Sequence, residues 1–584
     1  MSTRRTVRSG EVSLVVREWG DTSDPTVLLV HGYPDTQAMW DDVAELLAER
    51  YHVVTYDVRG MGESSAPDGR SGYKLERLAE DLFEVADAVS PNAPVHVVAH
   101  DWGSIQAWEA VTDPDRARRI ASYTSISGPC LDHVGHWMRA RLRKPTPRGL
   151  GRLTGQLLHS WYVYLFQLPV LPALTWRLLA RRWGEVLHLL EGVPPREGHP
   201  APTITGDGVR GIKLYKANML PRLLRPRERR TAVPVQLVVP TRDRYVRPGL
   251  AEEVERWAPR LWRRELIAGH WATLTEPAVV AQMIEEFVDH IAGGPTTRTL
   301  QQDQVGAPGG RFAGRLVVVT GAGSGIGRST ATLFAGLGAE VVVADIDIAS
   351  ARATAESIGP AAYPYGVDVS DEDAMDRFAD WVVDEHGVPE IVVNNAGIGL
   401  AGAFVDTSAK QWRRVVDVNL LGVVNGCRAF APRMIAARRG GHIVNIASAA
   451  AFTPSDLLPA YSTTKAAVLM LSESLRVELA AAGIGVSAIC PGIVDTNITN
   501  TTRYAGVDEL EEKRLRRQAS AAYHKRNFPP ERVAAQIVFA VEDNKAVVPV
   551  TPEAKLAHTA YRFTPGLVRG FARVVSSARA KGVK

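Results

Sequence analysis

The chain has 584 residues, of which 45% are hydrophobic and 23% charged, with a formal net charge of +4. That length is too great for one hydrophobic core, and two α/β domains of roughly 250 to 300 residues are expected; the composition excludes a disordered or fibrous chain. Three cysteines, Cys130, Cys427 and Cys490, lack CxxC spacing, which excludes a disulfide framework and a zinc site.

The N-terminal stretch "MSTRRTVRSGEVSLVV" is basic but has no apolar core of its own. No signal peptide is expected, and the reading is cytoplasmic. A first series of buried-strand patterns follows: "TVLLV", "HVVTYDV", "VHVVAH" and "VQLVVP". These runs of Val, Leu and Ile end in turn residues and alternate with helical stretches. They predict parallel strands in a doubly wound sheet over residues 1–292.

About a hundred residues, Leu131 to Thr231, interrupt this series. They are too many for a loop and predict a helical cap. Lys and Arg number 18 here against 6 Asp and Glu, so the segment carries +12 and the rest of the chain −8. Within it, Leu153 to Trp176 contains no charged residue, and basic stretches flank the run. Pro169 and Pro172 oppose a straight membrane span. Three readings stay open: a solvated basic face, a face that meets an acidic patch on the second domain, and peripheral docking on anionic lipid. No nucleic-acid recognition motif is present.

The stretch "VVAHDWGSIQAW" reads as a nucleophile elbow, a strand turning sharply into a helix with one side chain exposed. Its occupant is Asp101. Asp243 follows a later strand in "VQLVVPTRDRYV", and His270 lies on the turn "AGHW". Nucleophile, acid and histidine come in α/β-hydrolase order. Backbone N–H groups near Tyr33, in "HGYP", and of Trp102 are placed to form an oxyanion hole. A carboxylate attacking a saturated carbon forms an ester that water can cleave, whereas serine would form an inert ether. Asp101 therefore predicts displacement at an epoxide or a haloalkane.

"HGYPDT", "DVRGMGES", "AHDWGS", the Asp243 turn and "GHW" together resemble the epoxide hydrolase branch of the α/β-hydrolases. The resemblance implies two cap tyrosines that protonate the opening epoxide. "SWYVYLFQLP" matches the first segment and gives Tyr162 rather than Tyr164; "GIKLYKANM" matches the second and gives Tyr215. Haloalkane dehalogenases typically carry Asn where Tyr33 stands. A dehalogenase remains the alternative, as does a half that serves only as a binding scaffold. No cofactor is expected in this half.

A polar segment rich in Gly, Pro, Thr and Gln, residues 293–311, predicts a linker. A second strand series follows over residues 312–550: "RLVVVT", "EVVVAD", "EIVVNNAG", "HIVNIAS" and "GVSAICPG". The first strand leads into "TGAGSGIG". Gly321, Ser324, Gly325, Ile326 and Gly327 at the start of a helix suit a pyrophosphate. Asp345 ends the next strand, where a carboxylate accepts ribose hydroxyls and repels a 2′-phosphate. That favours NAD over NADP.

Ser448, Tyr461 and Lys465 carry the second chemistry. Tyr and Lys four apart share a helix face, and an ammonium beside a phenol lowers its pKa. Tyr461 can then exchange a proton with an alcohol or carbonyl, with Ser448 holding the substrate oxygen. Asn419 suits a proton relay through water. This set resembles the classical short-chain dehydrogenase/reductase family. The resemblance implies that Asp368 and Val369 lie near adenine, that Asn395, Ala396 and Gly397 line the cofactor, and that Pro491, Gly492 and Thr496 touch the nicotinamide. It also implies a homo-oligomer through this domain.

The predicted architecture is thus α/β throughout: a capped α/β-hydrolase, then a Rossmann-type doubly wound dehydrogenase, then a basic tail over 551–584. The order of halves resembles the EphD type of fusion. It implies a bifunctional enzyme acting on small apolar or lipid-like substrates.

Overall fold

The computed structural model describes residues 2–306 and 310–582. It divides into two units, residues 1–306 and 307–584.

The first unit is built on an eight-stranded sheet in the order β1-β2-β4-β3-β5-β6-β7-β8. The strands are β1 Thr3–Ser9, β2 Val12–Trp19, β3 Thr26–Val30, β4 His52–Tyr56, β5 Val95–His100, β6 Ile120–Ile126, β7 Val235–Pro240 and β8 Leu261–Leu266. β2 pairs antiparallel with β1 and with β4; the other pairs are parallel. The central strands β3, β4, β5 and β7 are buried along their whole length, which is why they read as continuous apolar runs. Between β6 and β7 a series of helices from Leu131–Arg143 to Ile204–Leu224 forms the cap.

Part of the cap's basic excess is structural. Arg222, Arg227 and Arg229 converge on Glu109 and Asp132, which are nearly buried, with Glu76 at the edge. Arg196 pairs with Asp42, and Arg210 Nε donates to the Gly60 carbonyl. These bonds tie the cap to the sheet domain. Breaking a buried pair of this kind costs about 3–5 kcal/mol.

The expected linker is shorter than its composition suggests. Arg298–Asp303 is a helix whose Leu300 is buried against Trp262 and Phe287. Asp303 binds Arg264, and Val305 N–H donates to the Leu261 carbonyl at 2.8 Å. Residues 298–305 therefore belong to the first unit. Ala307, Pro308 and Gly309 lie outside the described residues.

The second unit has a parallel seven-stranded sheet in the order β11-β10-β9-β12-β14-β15-β17. Its strands are β9 Leu316–Thr320, β10 Glu340–Asp345, β11 Ala362–Gly366, β12 Ile391–Asn394, β14 Gly441–Ile446, β15 Ile484–Cys490 and β17 Val547–Pro549. β13 Leu400–Ala401 and β16 Arg503–Tyr504 form a separate pair beside the site. The segment after residue 550 is not merely a tail. Its first helix, Pro552–Phe563, buries Ala554 and packs Tyr561 and His558 near Phe452.

Candidate active sites

In the first unit β5 ends at His100 and the helix Trp102–Val111 begins one residue later. Asp101, between them, has φ +49° and ψ −121°. Such backbone costs a non-glycine residue about 1–3 kcal/mol and persists where function needs the side chain presented. Close packing forces the rest of the turn: a Cβ on Gly103 would lie 2.4 Å from the Val30 carbonyl oxygen.

The predicted triad assembles. His270 Nδ1 lies 2.9 Å from Asp243 Oδ2, and Nε2 lies 3.6 Å from Asp101 Oδ1. Asp243 Oδ1 accepts the Tyr245 and Val246 N–H groups at 2.7 and 2.9 Å, which fixes the acid. Burial raises the Asp243 carboxyl, but the His270 charge and hydrogen bond outweigh it and hold it below its usual range. Burial disfavours charge on His270, yet the Asp243 and Asp101 carboxylates together hold the imidazole well above its usual value.

Tyr33 N–H donates to Asp101 Oδ2 at 2.9 Å. One carboxylate oxygen is thus held by the Tyr33 N–H while the other faces His270. His31 holds this loop: its Nε2 accepts from Val58 N–H and its Nδ1 bonds the Gly32 carbonyl, both at 2.9 Å. Of the two expected donors, Tyr33 N–H is engaged. Trp102 N–H stands at the first residue of the helix beside it.

Above Asp101 lies an aromatic enclosure. The Tyr215 ring packs on Trp102 with centroids 4.7 Å apart, on Tyr33 at 5.4 Å and on Phe166 at 4.8 Å. Tyr162 packs on Tyr215 at 6.0 Å. Burial, followed for Tyr162 by the Asp101 and Asp243 charges, pushes both phenols far above 10 and keeps them protonated. Tyr164 is exposed, whereas Tyr162 faces this enclosure. The Tyr33 phenol is committed to the Gly208 carbonyl at 2.8 Å.

Three residues here escaped the sequence reading. Tyr245 packs its ring 5.0 Å from His270. Glu191, on the cap, accepts the His270 N–H at 3.1 Å. Asp35 takes Trp271 Nε1 on one oxygen and His199 of the cap on the other, both at 2.8 Å. Asp35 closes "HGYPDT" and Tyr245 follows Asp243 by two, while Glu191 lies in no motif; only their distant partners reveal what each of them does.

In the second unit a cavity of about 750 Å³ gathers the predicted residues. Gly321, Ser324, Gly325, Ile326, Asp345, Asp368, Val369, Asn395, Ala396, Gly397, Ser448, Tyr461, Lys465, Pro491, Gly492 and Thr496 all line it. Gly327 and Asn419 do not. Gly327 is a packing glycine: a Cβ there would lie 2.2 Å from the Gly321 carbonyl oxygen. Asn419 acts from behind the wall, within a turn of π-helix at Asp417–Leu421, a local widening common at functional positions. Its amide bonds the Ile398 N–H and carbonyl at 2.8 and 3.0 Å.

The cavity fits a dinucleotide. The helix Gly325–Gly336 starts there with no side-chain cap, leaving its first N–H groups for an anion. A Cβ on Gly323 would lie 2.8 Å from Asp345 Oδ2, so the glycine keeps the backbone close to that carboxylate. Asp345 Oδ2 accepts Gly323 N–H at 2.9 Å and Oδ1 accepts Asp347 N–H at 3.0 Å. Asp368 Oδ1 accepts both the N–H and the hydroxyl of Ser370.

Lys465 Nζ donates to the Ile446 carbonyl at 2.8 Å and lies 5.8 Å from the Tyr461 ring centroid. Burial pushes its ammonium down to about 8. The expected lowering of the Tyr461 phenol is absent: burial pushes it up to about 12, against a smaller opposing effect of Ser448. Desolvation of the phenolate decides the direction. Ser448 bonds Ala450 N–H and the Pro491 carbonyl, which orients its hydroxyl at the cavity wall.

Glu553, from the segment expected as a tail, lines this cavity. It accepts Ile493 N–H at 3.1 Å and pairs with Arg526 at 2.6 Å, while His524 binds Asp495 at 2.8 Å. The helix Glu509–Arg526 is thereby fastened to the 491–496 loop.

Both folds and both residue sets define an α/β-hydrolase joined to a short-chain dehydrogenase. A model of the alpha/beta hydrolase fold matches residues 25–277, and a short chain dehydrogenase model matches residues 315–505. "Probable oxidoreductase EphD" of Mycobacterium tuberculosis (strain ATCC 25618 / H37Rv) is 45% identical over 573 residues, covering 96% of this chain and 97% of that one. The chain belongs to the EphD family of fused hydrolase–dehydrogenase proteins. "Sorbitol dehydrogenase" of Cereibacter sphaeroides is 37% identical over 214 residues, 36% of this chain and 84% of that protein. A solved short-chain dehydrogenase/reductase from Burkholderia phymatum in complex with NAD is 29% identical, covers 43% of this chain and 95% of its own, and has a TM-score of 0.40. The protein is an enzyme fusion of an α/β-hydrolase unit with a short-chain dehydrogenase unit.

Proposed function

We propose that the first unit opens apolar epoxides to vicinal diols and that the second interconverts alcohols and ketones with NAD. The observation that carries the first reading is a carboxylate, not a hydroxyl, on the strained elbow, with one oxygen on the Tyr33 N–H and the other facing His270. Asp101 Oδ1 attacks the epoxide carbon and the ring C–O bond breaks. Tyr162 or Tyr215 gives its proton to the leaving oxygen. Esterification removes the Asp101 charge, one of the two that favour imidazolium, so His270 loses affinity for its proton as a base becomes necessary. Water then attacks the ester carbonyl, whose oxyanion the Tyr33 N–H holds. One water proton goes to His270 and on to the phenolate; the other leaves with the diol. A halide cradle is disfavoured because the Tyr33 phenol is already spent on Gly208.

In the second unit the bound nicotinamide would accept or supply the hydride. Tyr461 exchanges the proton at the substrate oxygen and Ser448 orients that oxygen. Lys465 and Asn419 support the proton path; a Cβ on Gly397 would sit 3.5 and 3.2 Å from their polar atoms. Two separate assays test the reading: diol formation from a panel of long-chain epoxides, and NADH formation with secondary alcohols. Halide release from haloalkanes, with no diol formed from any epoxide, would overturn the first half.

The preference for NAD rests on Asp345 and on charge. Among the described residues lining the cavity, the cations are Arg414 and Lys465, and Arg414 lies 3.6 Å from Asp368. Neither is set to receive a 2′-phosphate at Asp345. Asp345→Ala should lower kcat/KM for NAD by about tenfold to a hundredfold, the value of one or two hydrogen bonds to a charged group. NADP should lose nothing or gain. Steady-state kinetics with both cofactors read this out; equal losses with both would assign Asp345 a structural role.

A further inference from the structure

The outer face of the cap is apolar where a soluble surface would be polar. Leu158, Val170 and Leu178 are each about 70% exposed (70%, 69% and 70%), and Trp161 is 62% exposed. Tyr164 and Leu174 join them on the same run of short helices. Scattered exposed leucines need no explanation, but this many on consecutive helices mark an interaction surface.

The charges around it are unspent. Arg143 and Lys144 precede the uncharged run, and Arg177, Arg181 and Arg182 follow or edge it; all five are exposed. Unlike Arg222, Arg227 and Arg229, which neutralise carboxylates of the sheet domain, these five make no ion pair among the described residues. An apolar face rimmed by free cations complements a surface that is apolar within and anionic at its edge.

We propose that this face docks the protein on an anionic lipid bilayer. It lies in the interface and does not cross. Among the described residues no single helix is long and apolar enough to span, and Trp161–Gln167 meets the following Leu171–Glu191 segment at 115°. The short helix Trp161–Gln167 links the surface to the chemistry. It turns Trp161 and Tyr164 outward, while Tyr162 and Phe166 pack inward on Tyr215. Lipid contact and epoxide activation thus occupy opposite sides of one helix, and an apolar substrate would enter from the bilayer side. Docking stands apart from the epoxide reading, because its measurement needs no turnover.

Flotation of the full chain with phosphatidylcholine vesicles, with and without phosphatidylglycerol, tests it. Anionic vesicles should recover at least about tenfold more protein, with the excess lost at high salt. The double variant Leu158→Glu/Leu178→Glu should fall to the neutral-vesicle level with an unchanged melting temperature and unchanged NAD-linked turnover, since both positions are exposed and outside either site. Equal recovery on neutral and anionic vesicles would overturn the proposal. So would a double variant that floats as the parent does, which would place lipid binding elsewhere, or one that instead dissociates a dimer, which would make the face a contact between copies.

Discussion

Asp101→Asn is expected to abolish ring opening, lowering kcat by about three orders of magnitude or more, because the nucleophile and its water-labile ester vanish together. The amide keeps the shape of the carboxylate and can keep its oxygen on the Tyr33 N–H, so folding should survive. His270→Gln isolates the other half of the cycle. It leaves the Asp101 carboxylate in place but removes the base, 3.6 Å from Oδ1, that activates water. This variant should give a burst of substrate consumption, no sustained diol formation, and a mass adduct on the peptide containing Asp101. Oxygen labelling makes the distinction sharper. In a single turnover in ¹⁸O water, the oxygen that joins the epoxide comes from Asp101, so the first diol is unlabelled and the label appears in the Asp101 carboxyl. Label in the first diol would mean direct attack by water and would refute the covalent route. Asp243→Asn should resemble His270→Gln more than Asp101→Asn, because it disorders the base and spares the nucleophile.

The parts of both sites that could be read from sequence are those carried by local geometry. Tyr461 and Lys465 share a helix face by spacing alone. Asp101 sits at a strand-to-helix turn whose neighbours must be small, and Asp243 and His270 each follow a strand. What stayed hidden depends on distant approach. Glu191 meets the His270 N–H from 79 residues away, and Asp35 joins Trp271 to the cap across the whole unit. Most of the missed strands lie at or near a sheet edge; the exception, β6 "IASYTSI", is interior, and its serines and threonine break the apolar run. β1 is "TRRTVRS" and β8 is "LWRREL", and their charges break the apolar pattern that marks central strands. Arg264 in β8 is buried only because Glu286 and Asp303 meet it there. β11, "AYPYG", carries a proline that an edge strand tolerates. The same blindness made a linker of residues 298–305, where one buried leucine and one aspartate decide the matter. It also made a tail of the helix that carries Glu553.

Tyr461→Phe and Lys465→Met should both silence the dehydrogenase, yet differ in what they do to the fold. Removing the Tyr461 hydroxyl removes the proton carrier, a loss of about a thousandfold in kcat. It deletes a group that burial already keeps neutral, so below about pH 10 stability should change little and without dependence on pH. Lys465 is a different matter. Burial pushes its ammonium from 10.5 down to about 8, so at neutral pH the folded protein holds a charge that it binds more weakly than the unfolded chain does. That difference costs about 3 kcal/mol. Between about pH 8 and 10.5 the unfolded state holds more protons than the folded one, so stability rises with pH across that window and the cost is gone above it. Lys465→Met lacks the charge and escapes the penalty, against the loss of one hydrogen bond to Ile446 worth about 1 kcal/mol. The apo variant should therefore melt higher than the parent at neutral pH, and the gap should close as the pH rises past 10. Thermal melts of both full-length proteins, followed through the transition that cofactor shifts, would check this. A Lys465→Met protein that melts lower than the parent at neutral pH would mean that the ammonium is held by more than desolvated burial allows. Its role would then be structural as well as chemical.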